Sequence, residues 1–357
     1  MSVNEIMTPL ADQVRRLSGA EGKLSIEAMT EKLAGVEVGG GGNSQFIKSL
    51  IEGTITELTS EDLKGITTIG GYTFQNKPLT DVRIADSEVT TIESYAFNKC
   101  NDIEVLELPK GLTSIKNTPF GYDNSSSGSD SNMKLEYLYI PKSVTSLPYG
   151  FLCTFRAVKT VEFEEDSACT VLSNWAFGYG KALTHIKVPK SVWYLGNDCF
   201  SNCISLQYID LSELTSVPTL NSLSALNNVP PTCKIIVPTS LYEKWKSATN
   251  WSNFADMIVP NTINGTWVFN DTITWERVAN CAVNFTSNGS NYTRMSWREL
   301  ADGSGNKKLF YGITNGVYGE ATQTWDNANY KTVSFGDTPQ TCNAEFLAFI
   351  YHNATKQ

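Results

Sequence analysis

Side chains that commonly carry catalysis are sparse in this sequence. Its 357 residues include two histidines, His185 and His352, which lie far apart in the chain. A Ser-His-Asp triad or a Cys-His pair would therefore have only these two residues from which to take its histidine base. The metalloprotease pattern HExxH, the hydrolase pattern GxSxG and the phosphate-binding P-loop do not occur. We predict no catalytic residue, no cofactor and no enzymatic activity.

One group of carboxylates keeps a glycan-cleaving enzyme open as an alternative. Glu162, Glu164, Glu165 and Asp166 cluster around the end of one predicted strand. Glycosidases need only two suitably placed carboxylates. A solvated acidic edge accounts for the same residues without any chemistry, and we prefer that interpretation.

The cysteines do not have the spacing of a metal or redox site. Among the eight, no pair forms a CxxC motif, so neither a zinc site nor a thioredoxin-like site is expected. We predict that they are small buried hydrophobic residues. They are Cys100, Cys153, Cys169, Cys199, Cys203, Cys233, Cys281 and Cys342.

The charge of the chain excludes some partners. A net charge of −9 argues against nonspecific nucleic-acid binding and against docking on anionic lipid. No apolar run approaches the length of a membrane span, so we predict no membrane insertion. The first residues lack the apolar segment of a secretory signal, and we therefore expect synthesis in a bacterial cytoplasm.

Pairs of an aliphatic residue and a phenylalanine recur along the middle of the chain. The aliphatic positions are 23, 23, 32, 25 and 23 residues apart, and the long step contains an insertion after Phe120. A period of about 20 to 29 residues is typical of leucine-rich repeats. One such repeat buries too little surface to stand alone, so we predict a stacked solenoid. The pairs are Ile69/Phe74, Ile92/Phe97, Ile115/Phe120, Leu147/Phe151, Leu172/Phe177 and Leu195/Phe200.

Short alternating segments between these pairs predict strands with one buried and one outward face. The predicted inward residues are Val82, Ile84, Leu106, Leu108, Leu138, Ile140, Val161, Phe163, Ile186, Val188, Ile209 and Leu211. Outward tyrosines could stack on sugar rings or pack against a protein, although tyrosine is also simply a good strand former. Our candidate ligand contacts on this face are Tyr137, Tyr139, Glu162, His185, Lys187 and Tyr208.

The flanks of the repeat predict further domains, so the fold class is a multidomain α+β protein. Residues 1–38 predict a helical hairpin, 39–45 a glycine-rich linker and 46–260 the solenoid with a cap at each end. Residues 261–357 predict a small β-rich domain with a terminal helix. Its Trp275, Trp297 and Trp325 are further ligand-binding candidates, with burial in a core as the alternative.

The repeat resembles the BspA-like (treponemal-type) leucine-rich repeats. Their pattern is a strand, a proline, an aliphatic–glycine pair, then Ala-Phe and a cysteine. LTHIKVPKSVWYLGNDCFSNC (183–203) follows it nearly throughout, IESYAFNKC (92–100) carries its second half, and NWSNFADMIV (250–259) looks like the cap of that family. The resemblance covers about residues 46 to 259. Phe151 departs from it by lying four residues after Leu147 instead of five, which predicts a distorted loop in that repeat.

Two flanking segments resemble parts of phage proteins. LADQVRRLSGAEGKLSIEAMTEKLAGV (10–36) is similar to a segment of tail and baseplate-associated proteins of phages that infect gut bacteria. The C-terminal stretches NGTWVFNDT and YKTVSFGDTPQTCNAEFLAFIYHNA are similar to modules at the ends of such proteins.

The resemblances imply a virion protein from the tail or baseplate region that contributes to host recognition. In this hypothesis the hairpin binds other virion proteins, the chain is a homo-oligomer in the particle, and a host cell-surface protein or glycan is the ligand. The alternatives are a purely structural virion component and a bacterial surface adhesin.

Overall fold

The computed structural model describes most of the predicted repeat region and parts of the C-terminal region. The described residues are 46, 49–50, 52–121, 133–153, 155–269, 278–281, 285–287, 290–292, 295–301, 307–310, 332–334, 337, 339–342 and 344–357. The predicted hairpin, the glycine-rich linker and the insertion after Phe120 lie outside them. No helix in this described part is long and apolar enough to span a membrane.

The chain forms two compact units. The first holds the described residues up to Leu206, together with Ser216–Pro230 and Thr249–Asn253. The second holds Gln207–Thr215, Pro231–Ala248 and the described residues from Phe254 onward. The second unit therefore includes two segments of the predicted repeat region, Gln207–Thr215 and Pro231–Ala248, together with the C-terminal residues. The sequence placed a domain boundary after residue 260, and that boundary stays a prediction.

A parallel sheet runs through the first unit, with one strand from each repeat. Equivalent residues of successive repeats lie opposite each other in this sheet. Val82 pairs with Leu106, and Leu138 pairs with Val161. This stack of short parallel strands confirms the predicted solenoid. The strands are β1 (Glu57–Thr59), β3 (Asp81–Arg83), β5 (Val105–Glu107), β7 (Tyr137–Ile140), β9 (Thr160–Phe163) and β11 (His185–Lys187).

Two-residue strands form further parallel ladders in the same unit. β2, β4 and β6 pair in one ladder, and β8, β10, β12 and β14 in another. Each repeat therefore contributes one longer strand and one two-residue strand joined by turns. The bounds are β2 (Thr68–Ile69), β4 (Thr91–Ile92), β6 (Ser114–Ile115), β8 (Ser146–Leu147), β10 (Val171–Leu172), β12 (Tyr194–Leu195) and β14 (Thr219–Leu220), with a 3-10 helix at Leu223–Leu226.

The repeated phenylalanines form the centre of the core. Phe74 and Phe97 stack with ring centroids 5.1 Å apart, and Phe177 stacks on Phe200 at 5.2 Å. The stack changes at Phe120, which meets Phe151 edge-on at 5.9 Å. This is the repeat in which the Leu147–Phe151 spacing is one residue short. A ring that the sequence did not predict for the core, Phe155, also packs edge-on against Phe120 at 4.8 Å.

The predicted inward faces of the strands are buried with one exception. Val82, Ile84 and Leu138, for example, have no exposed surface. Phe163 was predicted to point into the core, but it is only half-buried. Its ring is larger than Ile140 and Val188, which fill the equivalent positions in neighbouring repeats.

The seven cysteines whose side chains are described are all buried, which confirms their predicted hydrophobic role. The thiol of Cys100 donates to the carbonyl oxygen of Phe74 at 2.9 Å, and that of Cys203 to Phe177 at 3.2 Å. Burial raises the pKa of the Cys100 thiol to about 12 and that of Cys169 to about 11. Cys100 and Cys169 therefore stay protonated, and the thiols of Cys100 and Cys203 each link their repeat to the preceding one. The side chain of Cys281 lies outside the description.

The second unit begins with parallel strands and continues into antiparallel ones. β13, β15 and β16 are parallel, with Ile235 of β15 opposite Ile258 of β16. The antiparallel groups are β17 with β25, β24-β18-β26, β19-β22-β23 and β20 with β21. The strands are β13 (Tyr208–Asp210), β15 (Lys234–Val237), β16 (Ile258–Pro260), β17 (Thr262–Ile263), β18 (Thr266–Phe269), β19 (Val278–Cys281), β20 (Phe285–Ser287), β21 (Ser290–Tyr292), β22 (Met295–Ala301), β23 (Lys307–Phe310), β24 (Thr332–Ser334), β25 (Gln340–Thr341) and β26 (Ala354–Lys356).

Helices are few in the described residues. Residues 46, 49–50 and 52 are helical, and two further helices have defined bounds, α1 (Tyr242–Ser247) and α2 (Ala344–Asn353), with 3-10 helices at Thr239–Leu241 and Trp251–Phe254. Trp245 of α1 is fully buried, in the segment where the sequence predicted an end cap. In the second unit α2 packs against β13 and β15. Leu347 and Ile350 of α2 have no exposed surface, and neither does Ile236 of β15.

Candidate binding face

The outward sides of the longer strands of the first unit form one surface, which we call the outward face. It carries charged, polar and aromatic side chains, as the alternation of the sequence predicted. Its members are Glu57, Thr59, Asp81, Arg83, Val105, Glu107, Tyr137, Tyr139, Thr160, Glu162, His185 and Lys187.

Two tyrosines of strand β7 are the large apolar groups of this face. The exposed fraction is 47% for Tyr137 and 37% for Tyr139. The Tyr137 phenol donates a 2.6 Å hydrogen bond to Oε2 of Glu162 on β9. Burial and this bond raise the pKa of Tyr137 to about 12, so the phenol remains a donor at neutral pH. The bond holds an exposed ring in one orientation.

A row of four paired residues crosses the face at Tyr139. Arg83 lies opposite Glu107, Glu107 opposite Tyr139, and Tyr139 opposite Glu162. Neighbouring strands are about 4.8 Å apart, so a glutamate occupies the adjacent position on each side of Tyr139. The guanidinium of Arg83 reaches Glu107 at 2.8 Å and Asp81 at 3.1 Å.

The sheet opens beside these tyrosines. Pairing of β5 with β7 is limited, among the described residues, to Glu107 with Tyr139. By contrast, β7 pairs with β9 over four positions. A cleft of about 680 Å³ lies along β5 and β7. Its lining residues are Ala85, Glu104, Val105, Leu106, Glu107, Leu108, Lys110, Lys134, Leu135, Glu136, Tyr137, Tyr139 and Pro141.

The sequence did not predict this cleft. The feature of the sequence that could have indicated the cleft is the 32-residue step between Ile115 and Leu147. This step exceeds the usual 23 residues and places extra chain directly before β7. Extra chain in one repeat disturbs the even spacing that keeps successive strands paired.

Two members of the acidic cluster that kept a glycosidase open, Glu164 and Asp166, are held in ion pairs. Lys142 binds Glu164 through its amide at 3.0 Å and through its ammonium at 3.4 Å, and Lys190 binds Asp166 at 2.5 Å. These contacts lower the pKa of Glu164 and of Asp166. A general acid needs the opposite shift. No set of three or more metal-ligating side chains clusters within the described residues.

The remaining predicted contacts of the first unit lie further along the face on β11. His185 is half-buried, and its Nδ1 lies 3.0 Å from the hydroxyl of Thr184. Lys187 is exposed. Neither residue lines the cleft.

Tyr208, a candidate in the second unit, does not lie open. It is half-buried, and burial together with nearby Glu345 of α2 raises its pKa. Asp210, which alternation predicted to point outward on the same strand, is also buried. The reason in both cases is α2, which packs against β13. Trp275 and Trp325 lie outside the described residues, as does the side chain of Trp297 on β22.

A family model decides the assignment of the repeat. The model for the BspA type leucine rich repeat region matches in six copies, at residues 53–147, 130–242 and 170–286. These segments together span more than half of the chain. The chain belongs to the BspA type leucine rich repeat family. This confirms the resemblance of the repeat, and the leucine-rich repeat solenoid follows from it.

Solved structures of leucine-rich repeat proteins are also similar to this family member. One is a leucine-rich repeat protein from Bacteroides ovatus, with 19% identity, coverage of 52% of this chain and 55% of that one, and a TM-score of 0.26. Another is a leucine rich cell surface protein from Faecalibacterium prausnitzii, with 18% identity, coverage of 58% and 76%, and a TM-score of 0.26. The chain thus spans about half the length of the first of these structures. No curated protein matches.

Proposed function

We propose that this leucine-rich repeat protein is a recognition module that binds a surface partner through its outward face. The observation that carries the proposal is the pair of exposed tyrosines, Tyr137 and Tyr139, beside an open cleft. Aromatic side chains are enriched at binding surfaces, and a concave cleft lined mostly by apolar groups is the usual form of a ligand site.

The solenoid suits this role because it presents its strands as one rigid face. Stacked phenylalanines and thiol hydrogen bonds link successive repeats behind the face. The backbone of the face is therefore already ordered before binding. Because little conformational entropy is lost when a partner binds, the affinity is favoured.

The finer assignment is to a phage virion, in the tail or baseplate region. It is supported by the resemblance of residues 10–36 and of the C-terminal stretches to phage protein segments. In this proposal the N-terminal segment attaches the chain to other virion proteins, and the outward face engages a host cell-surface protein or glycan. A bacterial surface adhesin would use the same face.

Binding of labelled full-length protein to gut bacterial cells, followed by flow cytometry, tests the recognition role. We expect saturable binding to at least one host strain, with competition by unlabelled protein. If the protein binds no strain of its host species, the recognition role is overturned. Both roles predict loss of particle incorporation on deletion of residues 1–38, whereas a purely structural role predicts no binding to cells.

A further inference from the structure

The cleft between β5 and β7 combines an apolar floor with charged walls. Leu106, Leu108 and Leu135 line it and are each at most 5% exposed. Tyr137 and Tyr139 stand at its rim. A volume of about 680 Å³ lies in the range of sites that hold a small ligand or a few residues of a peptide.

The lysines that line the cleft have acidic partners, whereas a nearby glutamate has no basic partner among the described residues. Lys110 and Lys134 line it, but Asp86 holds Lys110 at 2.6 Å and Asp102 holds Lys134 at 3.0 Å. Glu162, at the end of the row through Tyr139, lies outside the cleft on β9, beyond β7, and it differs from these lysines. Among the described residues its contact is the neutral phenol of Tyr137 rather than a basic side chain. A negative charge therefore stands uncompensated next to an exposed aromatic ring.

The same row already holds a cation at its other end. The guanidinium of Arg83 bridges Asp81 and Glu107 on this face at 3.1 and 2.8 Å. Further along the row, Tyr139 and Glu162 offer a second position for a cation. This position has the face of an aromatic ring as well as a carboxylate. A guanidinium or ammonium group is attracted both by the face of an aromatic ring and by a carboxylate.

We propose that an extended segment of a protein partner crosses β7, with apolar residues in the cleft and an arginine or lysine side chain beside Tyr139 and Glu162. The inference rests on the proposed recognition function and names the chemistry of its ligand. The charge of the partner complements Glu162 and the net charge of −9 of the chain. The apolar residues of the segment would cover the leucine floor.

The test is a titration of the full-length protein, followed by two-dimensional NMR, with N-acetyl-arginine methylamide as the probe. Its matched control is the citrulline compound, which has the same shape without the charge. We expect shifts of β7 and β9 resonances, binding of the arginine probe about tenfold tighter than the citrulline probe, and weakening on raising the salt concentration from about 50 to about 500 mM. Equal affinities for the two probes, or shifts elsewhere, would overturn the proposal.

Variants of two neighbouring residues of the row locate the site. We expect Glu162→Gln and Tyr139→Ala each to weaken the arginine probe about fivefold or more. Glu57→Gln, a matched exposed carboxylate of β1 on the same face, should leave its affinity unchanged. Cell binding that needs Tyr137 and Tyr139 but is indifferent to Glu162→Gln, and to competition by the arginine probe, would overturn this inference and leave the proposed function standing. A neutral oligosaccharide that shifts the same resonances while the arginine probe does not would identify a glycan site and overturn it as well.

Discussion

The phenol of Tyr137 lies 2.6 Å from Oε2 of Glu162, so two residues of neighbouring repeats hold each other on the outward face. The tyrosine supplies an oriented ring at the edge of the cleft, and the carboxylate supplies the charge beside it. Neither residue has this role alone, because the ring would turn freely without the bond.

Removal of the Tyr137 hydroxyl should change how stability responds to alkaline pH. Folding raises the pKa of this phenol to about 12, so the folded state holds the proton more tightly than the unfolded chain. The corresponding stability is complete below about pH 10 and is lost as the pH rises towards 12. We expect the urea midpoint of the wild type to fall more steeply than that of Tyr137→Phe between about pH 10 and 12. Other tyrosines titrate in both proteins, and parallel profiles would contradict the assignment.

Truncation of one stacked ring should cost far more than truncation of an exposed one. Phe97 has no exposed surface and stacks between Phe74 and Phe120. We expect Phe97→Ala to lower the free energy of unfolding by about 3–5 kcal/mol, because it leaves a cavity in the core. The control Trp193→Ala removes a side chain that is 56% exposed and should change it by less than about 0.5 kcal/mol. Similar losses for the two variants would show that the phenylalanine stack does not carry the core.

The position of Lys99 in its repeat offers a stabilising substitution. Lys99 adopts φ +61°, and the equivalent Asn76, Asn202 and Asn228 have φ between +57° and +63°. Asparagine tolerates this left-handed conformation better than lysine. The amide of Asn228 also donates to Asn202 in the preceding repeat at 2.8 Å. We expect Lys99→Asn to raise the free energy of unfolding by up to about 1 kcal/mol, measured by chemical denaturation. Lys99→Ala is the control and should give no such gain; equal effects would exclude a conformational cause.

Periodicity predicted the repeat and its buried side, since the aliphatic and phenylalanine positions alone determine which residues stack. It also predicted the exposure of Tyr137 and Tyr139. It could not predict the opening between β5 and β7, because pairing between strands 32 residues apart depends on the path of the chain between them. The half-burial of Tyr208 was equally out of reach, since it depends on a contact with α2 more than a hundred residues later.

The most direct test of the central claim compares cell binding of three full-length proteins in one assay: wild type, Tyr137→Ala/Tyr139→Ala and Trp193→Ala. All three should keep the circular dichroism spectrum of the folded protein and stay folded at the assay temperature, because the altered side chains lie at the surface. The outward-face account predicts that the double variant loses about tenfold or more in affinity, while Trp193→Ala binds as the wild type does. Undiminished binding by the folded double variant would contradict it.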